Sequence, residues 1–399
     1  MGIDFKFIHC SDLHLGAPFK KMSSFDREIG KRMAEAPFVA LNNIIDKALE
    51  EKVDFIIFSG DIFDGDNSTP GSRYRFAEAV KRAGIRCYIA YGNHDYKRSW
   101  EKSIPLPPNA IVFPNDPVNI PYPSEENKLT DVIGVSHVAK EESRNLTEGI
   151  FGTGSFSIAA VHCDLDSASE GKRYAPCRLN DLLSKNIDYW ALGHIHKRSI
   201  LHKYPHVVYP GNTQGRNTKE TGEKGAYLVT VSNGKVANVE FFVTHDILWS
   251  EAELNITGKD LDSLIESLPD HKGSDALVKL KITGRGDLDK MIRFNCKDLI
   301  RAAEDRKKWK VVDIEISSTP DIDINERRNT GDFISAVIGE ADRLSAADKK
   351  TLISAICTTK ASQSPEIRKF FENMSEDELK RMANDALASL MGKLTEGNE

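Results

Sequence analysis

The stretch RCYIAYGNHD, residues 86–95, joins an apolar run to a glycine, an amide, an imidazole and a carboxylate. A short run rich in β-formers that stops at a glycine predicts a buried strand followed by a tight turn. Similar endings occur in SDLHLG, residues 11–16, and in SGDIFD, residues 59–64. Helical patterns separate these strands, so the order predicts a layered α/β fold whose strand ends carry the chemistry.

The composition is that of an ordinary soluble protein. The chain has 399 residues, of which 40% are hydrophobic and 29% are charged, and its formal charge is −6. This charge argues against a protein that grips nucleic acid through its overall charge, although a local basic face stays open. Because it has no run of eighteen apolar residues and no signal-peptide pattern, we expect a cytoplasmic protein without membrane contact.

The order of predicted elements divides the chain into three parts. Strands and helices alternate at first, and later strands with fewer helices between them suggest a second sheet packed on the first. A compact strand–helix–strand–helix–strand unit follows, and the rest is helical and strongly charged. We therefore predict an α/β domain over residues 1–246, a small α/β domain over 247–319 and a helical carboxyl-terminal region over 320–399.

Side chains that can bind metal ions follow the strands of the first domain. Ligand sites in open α/β sheets lie beyond the carboxyl ends of the strands, so these segments can converge. Imidazoles, carboxylates and one amide, without a thiolate, suit manganese, iron or zinc. Seven such side chains are too many for one four-coordinate ion, so the sequence predicts two ions. These residues are Asp12, His14, Asp61, Asn93, His162, His194 and His196.

A centre with two ions indicates a reaction class. Asp61 belongs to the central motif and could bridge the two ions. Two ions about 3.5–4 Å apart lower the pKa of a shared water and stabilise both the entering and the leaving oxygen of a phosphoryl displacement. The pattern therefore predicts phosphoester hydrolysis.

The motifs DLH, GDIFD, GNHD and GHIH stand in order, with a lone histidine after a strand before the last of them. This series resembles that of the calcineurin-like metallophosphoesterase superfamily. The segment VVYPGNTQGRN, residues 207–217, adds a similarity to the SbcD/YhaO-type DNA-repair exonucleases. The resemblance implies a four-layer fold over residues 5–243, with two packed sheets flanked by helices, followed by a small α/β capping domain and a helical tail.

The resemblance also implies roles for individual residues. One ion would be held by Asp12, His14, Asp61 and His196, and the other by Asp61, Asn93, His162 and His194. His94 would be the catalytic histidine beside the scissile phosphate, with Asp95 holding its ring.

The implied activity is a manganese-dependent DNA exonuclease that also cuts single strands internally and works with an SMC-like ATPase. The sequence has no GxxxxGK[ST] phosphate loop, so any ATP dependence must come from another chain. A phosphodiesterase or phosphatase for nucleotides or other small phosphoesters is one alternative, because the same centre serves both reactions. A non-catalytic DNA-end-binding scaffold is another, and a homodimer stays an option.

Several polar residues outside the motifs have two interpretations. In the loop after GHIH, Asn212, Gln214 and Arg216 are candidate contacts to a phosphate backbone, although a Gly-rich polar loop is often only a loop. We expect Asp64 to make loop hydrogen bonds rather than to bind metal, because Asp61 already fills the bridging role. His137 is interpreted as a structural histidine.

Two surface features bear on partners. A basic cluster near the amino terminus is interpreted as a solvated helix face, with a flank of the cleft as the alternative; its members are Lys20, Lys21, Arg27, Lys31 and Arg32. In the tail, apolar side chains recur with helical spacing and either pack on the protein itself or dock the ATPase. They are Ile367, Phe370, Phe371, Leu379, Met382, Ala386, Leu387, Leu390 and Met391.

Overall fold

The structure is a computed structural model that describes residues 3–17, 27–96, 101–166, 174–268, 276–307, 310–321, 327–358 and 364–396. The chain divides into two units, residues 1–251 with 271–278 and residues 252–270 with 279–399. The bounds of the three domains given above stay a prediction. None of the described helices is long and apolar enough to cross a membrane.

The first sheet contains the strands that carry the first three motifs. The strands are β1 (Phe5–Cys10), β2 (Phe55–Ser59), β3 (Arg86–Ala90), β4 (Ala110–Val112), β13 (Gly225–Ser232) and β14 (Lys235–Val243). Their order in the sheet is β14-β13-β1-β2-β3-β4. The strands β1 to β4 run parallel to one another, and β13 and β14 are antiparallel to their neighbours.

The second sheet carries the later histidines. The strands are β5 (Val118–Tyr122), β6 (Thr130–Val135), β7 (Ser157–His162), β10 (Tyr189–Gly193), β11 (Ser199–Lys203) and β12 (His206–Tyr209). Their order in the sheet is β11-β12-β10-β7-β6-β5, with parallel central strands and an antiparallel strand at each edge. Two short parallel strands, β8 (Asp164–Leu165) and β9 (Pro176–Cys177), follow β7.

Three apolar layers hold this unit together. The helices α1 (Arg27–Glu51) and α2 (Pro70–Ala83) cover the outer face of the first sheet, where Ile44 packs with Phe58. Aromatic rings fill the space between the sheets, and the Phe7 ring centroid lies 5.2 Å from that of Tyr189. Outside the second sheet, Leu182 of α3 (Leu179–Leu183) packs with Trp190. The predicted fold of two packed sheets flanked by helices is confirmed.

Local sequence explains where α2 begins and ends. The Thr69 hydroxyl accepts a hydrogen bond from the Ser72 amide at 3.1 Å, and proline occupies the first turn, where its missing N–H costs nothing. Gly84 ends the helix with a left-handed backbone, φ 67°. The helix therefore begins at Pro70 and ends at Ala83.

A small three-stranded sheet follows β14, in the order β15-β16-β17. Its strands are β15 (Leu248–Asn255), β16 (Ala276–Thr283) and β17 (Lys310–Ile316), and the helices along this segment are α4 (Leu261–Glu266), α5 (Leu288–Phe294) and α6 (Cys296–Lys307). The predicted alternation of strands and helices holds, but α5 was not predicted. Among the described residues after β17, further helices are α7 (Phe333–Ser345), α8 (Lys349–Ile356), α9 (Pro365–Asn373) and α10 (Glu376–Glu396).

The apolar face of the tail is divided between the protein's own core and its surface. Leu379 is buried against Leu352 and Ile353 of α8, with Phe371 and Met382 packed around them, and Leu387 packs against Ile334 and Ile338 of α7. The hypothesis that these side chains dock a partner is therefore wrong for the buried ones. Phe370 is 62% exposed and Leu390 is 43% exposed, so they remain available. The Met391 side chain lies outside the described part.

The amino-terminal basic cluster is described only in part, because Lys20 and Lys21 and the Arg27 side chain lie outside that part. Arg32 pairs with Asp246, with its Nε 3.0 Å from a carboxylate oxygen, and Lys31 pairs with Glu28 on the same helix. These pairings agree with a solvated helix face.

Candidate metal centre

Each of the predicted ligands stands at or just after the end of a strand. Asp12 and His14 follow β1, Asp61 follows β2, and Asn93 follows β3. In the second sheet, His162 is the last residue of β7, and His194 and His196 follow β10. Because β1, β2 and β3 are parallel neighbours, their loops leave the same edge of the sheet.

The backbone of four of these residues is left-handed. The φ values are 55° at Asp12, 49° at His14, 51° at Asp61 and 104° at His194. Residues other than glycine rarely adopt this region, at a cost of order 1–3 kcal/mol each, and they cluster at functional sites. Neighbouring loops supply the restraint, because the amides of Asp12 and His14 donate to the Gly60 and Asp61 carbonyls, each at 2.9 Å.

Two glycines allow the loops to approach one another closely. A Cβ atom at Gly60 would overlap the His162 ring, and one at Gly92 would overlap the Asp61 carboxylate. The glycine before Asp61 is thus required by space and by its positive φ of 93°, and the glycine before Asn93 is required by space.

The first ligand group combines Asp12, His14 and His196, whose ligand atoms lie within 4.8 Å of one another. The Nε2 atoms of the two histidines are 3.1 Å apart, and His196 Nε2 is 3.7 Å from Asp12 Oδ1. That oxygen is buried and has no hydrogen-bond partner among the described residues. Two facing imidazole nitrogens beside an unpaired carboxylate oxygen fit a divalent cation better than a hydrogen-bond network.

The second ligand group combines Asp12, Asp61 and His162. His162 Nε2 lies 3.4 Å from Asp61 Oδ2 and 3.0 Å from Asn93 Oδ1. The same Asp61 oxygen is 3.7 Å from His14 Nε2 in the first group. Asp61 Oδ2 therefore lies between an imidazole of each group, as a carboxylate that bridges two ions must.

His194 stands beside these two groups. Its ring centroid is 5.3 Å from that of His162, and its amide donates to Asp12 Oδ2 at 3.1 Å. The Tyr174 ring lies 5.0 Å from the His194 ring on a segment that the sequence did not mark.

The electrostatics of the centre favour cations. Burial alone would raise the pKa of the Asp61 carboxyl, but the neighbouring His162, His14 and His94 hold it well below its ordinary value. Burial would likewise lower the pKa of His162, yet Asp61 and Asp12 raise it to about 9. At His162 the two carboxylates thus outweigh burial, so this part of the centre attracts positive charge, as a metal site must.

The His94 ring is held by Asp64. His94 Nδ1 is 3.4 Å from Asp64 Oδ1, and the same oxygen lies 3.3 Å from His14 Nδ1. The ligand atoms of these three residues also lie within 4.8 Å of one another, but Asp64 faces the Nδ1 atoms, whereas His14 faces the first ligand group with its Nε2. We therefore interpret Asp64 as a hydrogen-bonding residue, as predicted, and its hydrogen bond raises the pKa of His94 above the ordinary value.

The prediction that Asp95 holds the His94 ring is wrong. The Asp95 carboxylate accepts backbone hydrogen bonds from Ile62 at 3.1 Å, Phe63 at 2.8 Å and Gly92 at 3.0 Å. Asp95 therefore fastens the GNHD loop to the SGDIFD loop. It acts on the site through backbone, not through the imidazole.

Two of the three candidate phosphate contacts are buried. Gln214 donates to the Ile247 carbonyl at 2.8 Å, and its Oε1 accepts from the Asp246 amide at 2.9 Å. Asn212 is fully buried and donates to the Gln214 carbonyl. Substrate contact by these two side chains is contradicted, because they support the backbone of their own region. Arg216 remains a candidate, since it lies beside the centre with Nη2 3.1 Å from Asp64 Oδ1.

Sequence reasoning missed Glu220, which stands beside a predicted ligand. Its Oε1 is 2.7 Å from His196 Nδ1. Burial would raise the pKa of this carboxyl, but His196 lowers it to about 2. The sequence signal is weak: one acidic residue among several in KETGEK, at the end of the loop that holds Arg216.

His137 has the structural role that was predicted. It is buried, and its Nε2 lies 2.7 Å from the His162 carbonyl oxygen.

Residues 5–198 match the calcineurin-like phosphoesterase family. Over 416 aligned positions the chain is 30% identical to the metallophosphoesterase YhaO of Bacillus subtilis (strain 168), and the alignment covers 98% of each protein. The chain belongs to the calcineurin-like phosphoesterase family. This phosphoesterase is a metal-dependent hydrolase, and all seven predicted ligands lie within the matched segment.

Two further relatives of the phosphoesterase have names that refer to nucleases or DNA repair. It is 25% identical over 282 positions to the SbcD component of the nuclease SbcCD of Escherichia coli (strain K12), covering 59% of this chain and 67% of that protein. It is 27% identical over 203 positions to the DNA double-strand break repair protein Mre11 of Sulfurisphaera tokodaii, covering 49% and 50%.

Proposed function

We propose that the protein is a two-metal phosphodiesterase that cleaves DNA in repair or end processing in the cytoplasm. The observation that carries the proposal is Asp61 Oδ2, which lies within 3.7 Å of an imidazole nitrogen from each ligand group. The first ion would be held by Asp12, His14, Asp61 and His196, and the second by Asp61, Asn93, His162 and His194. We assign manganese to both, because carboxylate, amide and imidazole ligands suit that ion.

Two such ions supply an activated water and neutralise charge on the phosphoryl oxygens. The protein's own contribution is proton transfer and positioning. His94 is partly exposed, and with Nδ1 held by Asp64 its other ring nitrogen is free to protonate the leaving oxygen. Arg216, beside the same carboxylate, brings a positive charge to within reach of a phosphate.

DNA is the substrate we favour over small phosphoesters. The metal centre alone serves both substrate classes, so the choice rests on the relatives. The SbcD component is part of a nuclease, and Mre11 is a double-strand break repair protein. The similarity to YhaO extends over nearly the whole chain and so includes the segments that follow the phosphoesterase domain.

We expect the purified full-length protein to release nucleotides from end-labelled single- and double-stranded DNA in the presence of Mn²⁺. Bis(4-nitrophenyl) phosphate, assayed in parallel, reports the metal centre without requiring DNA binding. Gel analysis of the labelled products also gives the polarity. If the chromogenic diester is hydrolysed while both DNA substrates stay intact, DNA is not the substrate and a small phosphoester replaces it. If neither DNA nor the diester is hydrolysed, the catalytic proposal itself fails.

We further propose that an SMC-like ATPase docks on the exposed part of the tail. The name of the SbcCD nuclease describes an assembly of which SbcD is one component. On α9 and α10, the large apolar side chains that the core leaves exposed include, among the described residues, Ile367, Phe370 and Leu390. Exposed apolar side chains on helices suit docking against a partner helix.

Replacing Phe370 by glutamate should weaken association with an SMC-like ATPase by about 10- to 100-fold, because one large apolar contact contributes roughly 1.5–3 kcal/mol. Basal cleavage of short single strands should not change. Phe294→Glu is the matched control, since that side chain is 95% exposed on a different helix. Affinity is measured by titration with the purified ATPase. Equal binding by wild type and the Phe370 variant would remove this surface from the proposal.

A further inference from the structure

We propose that Glu220 is a positioning residue that holds the His196 ring and the Arg216 loop in the arrangement that the first ion requires. This inference rests on the two-metal centre proposed above. It assigns a role to a residue outside the five motifs.

Three donors converge on the Glu220 carboxylate. Its Oε1 is 2.7 Å from His196 Nδ1, while Oε2 accepts from Asn212 Nδ2 and from the Arg216 amide, both at 2.8 Å. The side chain is 17% exposed, so water competes little for these hydrogen bonds. One carboxylate thus fastens a ligand to both ends of the loop that runs from Asn212 to Arg216.

The contact with His196 decides which ring nitrogen faces the centre. A carboxylate at Nδ1 retains the proton there and leaves the Nε2 lone pair free. That Nε2 is the atom 3.1 Å from His14 Nε2 and 3.7 Å from Asp12 Oδ1. Without Glu220, the ring could rotate or place its proton on the nitrogen that must bind metal.

The two ligand groups differ in what stands behind their histidines. In the first group, Asp64 lies 3.3 Å from His14 Nδ1, and Glu220 lies behind His196. In the second group, a neutral acceptor, the Ser59 carbonyl, lies 2.9 Å from His162 Nδ1. A carboxylate behind an imidazole makes it a stronger ligand than a carbonyl does. Binding of the first ion should therefore depend on Glu220, and binding of the second ion should not.

Arg216 links the two carboxylates that stand behind the histidines of the first group, Glu220 and Asp64. Its amide donates to Glu220, and its guanidinium lies 3.1 Å from Asp64 Oδ1. The loop position that aims this side chain at the centre is thus set by the same carboxylate that orients His196.

The test is Mn²⁺ binding by full-length protein that has been stripped of metal, measured by calorimetric titration and elemental analysis. Glu220→Ala should weaken one of the two ions by about 10- to 100-fold and leave the other at its wild-type affinity. Glu220→Gln should weaken the same ion less, because its oxygen can still accept from His196 while its amide faces two donors. Glu223→Gln, in the same loop and 58% exposed, is the matched control and should bind both ions normally.

Wild-type affinity for both ions in Glu220→Ala would overturn the inference. Equal weakening of both ions together with a lower melting temperature of the metal-free protein would also overturn it, because Glu220 would then serve the fold alone. If the alanine variant is insoluble, the glutamine variant decides by the same two criteria. No substrate enters the measurement, so failure to cleave DNA would remove the proposed function and leave this result standing.

Discussion

Replacing His94 by alanine should lower the rate of phosphodiester cleavage by about 10²–10⁴-fold, the usual contribution of a positioned proton donor. Both ions should remain bound. The His94 side chain is 34% exposed and its Nδ1 faces Asp64, whereas the proposed ligand His14 is buried within the first ligand group. Initial rates with the chromogenic diester and metal content by elemental analysis give the two readouts.

The matched variant is His196→Ala, which should lose an ion as well as activity. If the His94 variant were emptied of metal in the same way, its assignment as a proton donor would be wrong, and it would have to be counted among the ligands.

The variant Asp64→Asn tests the contact between Asp64 and His94 through the pH dependence of the cleavage rate. The hydrogen bond that His94 donates to the Asp64 carboxylate is the largest cause that raises the pKa of His94. A proton donor must be protonated to act, so a raised pKa keeps His94 active to higher pH. Removing the Asp64 charge lowers this pKa, and the alkaline limb of the pH–rate profile should move to lower pH. A limb that stayed in place would show that Asp64 does not tune His94.

Removal of metal should abolish cleavage entirely. Without the ions, the carboxylates of the centre repel a phosphodiester, and the single charge of Arg216 does not replace the charge that is lost. Activity after exhaustive chelation and dialysis should return best with Mn²⁺, while Zn²⁺ should bind but support less turnover. Rates are measured across a titration of each ion. Full activity in the chelated protein would eliminate the two-metal mechanism.

The strand-end ligands could be predicted because each is encoded locally. An apolar run that stops at a glycine marks the end of a strand, and the same few letters contain the polar side chain. In parallel strands, the order of the motifs is then enough to place Asp12, Asp61 and Asn93 at one edge. Locally encoded features of this kind account for β1, β2 and β3 as well as for the ligands after them.

Roles that depend on contacts between loops could not be predicted in this way. Asp95 is adjacent to His94 in the sequence, yet its carboxylate points to the backbone of Ile62 and Phe63. The residue that reaches the His94 ring, Asp64, comes from the loop after a different strand. Adjacency in sequence is a poor guide to side-chain partners inside a turn, because consecutive side chains leave the chain in different directions.

The prediction of substrate contacts by Asn212 and Gln214 in the loop after β12 was wrong for a different reason. A polar, glycine-containing segment is expected to face solvent, but Gln214 uses its hydrogen-bonding capacity on backbone near Ile247. The carbonyl and the amide of Ile247 both bond to the Gln214 side chain, which therefore points into the protein rather than to solvent.

In the tail, helical spacing identified an apolar face correctly. Spacing carries no information on what covers the face, and here α7 and α8 cover much of it.

Four residues of the centre have a left-handed backbone, namely Asp12, His14, Asp61 and His194. This conformation restricts which inactivating substitutions at these positions leave the shape of the site unchanged. Asparagine tolerates this conformation better than other residues with a side chain, whereas alanine meets a cost of about 1–2 kcal/mol there. At Asp61, asparagine also retains the size of the carboxylate while removing its charge. A form designed to keep the shape of the site without its activity is therefore best made with asparagine at Asp61.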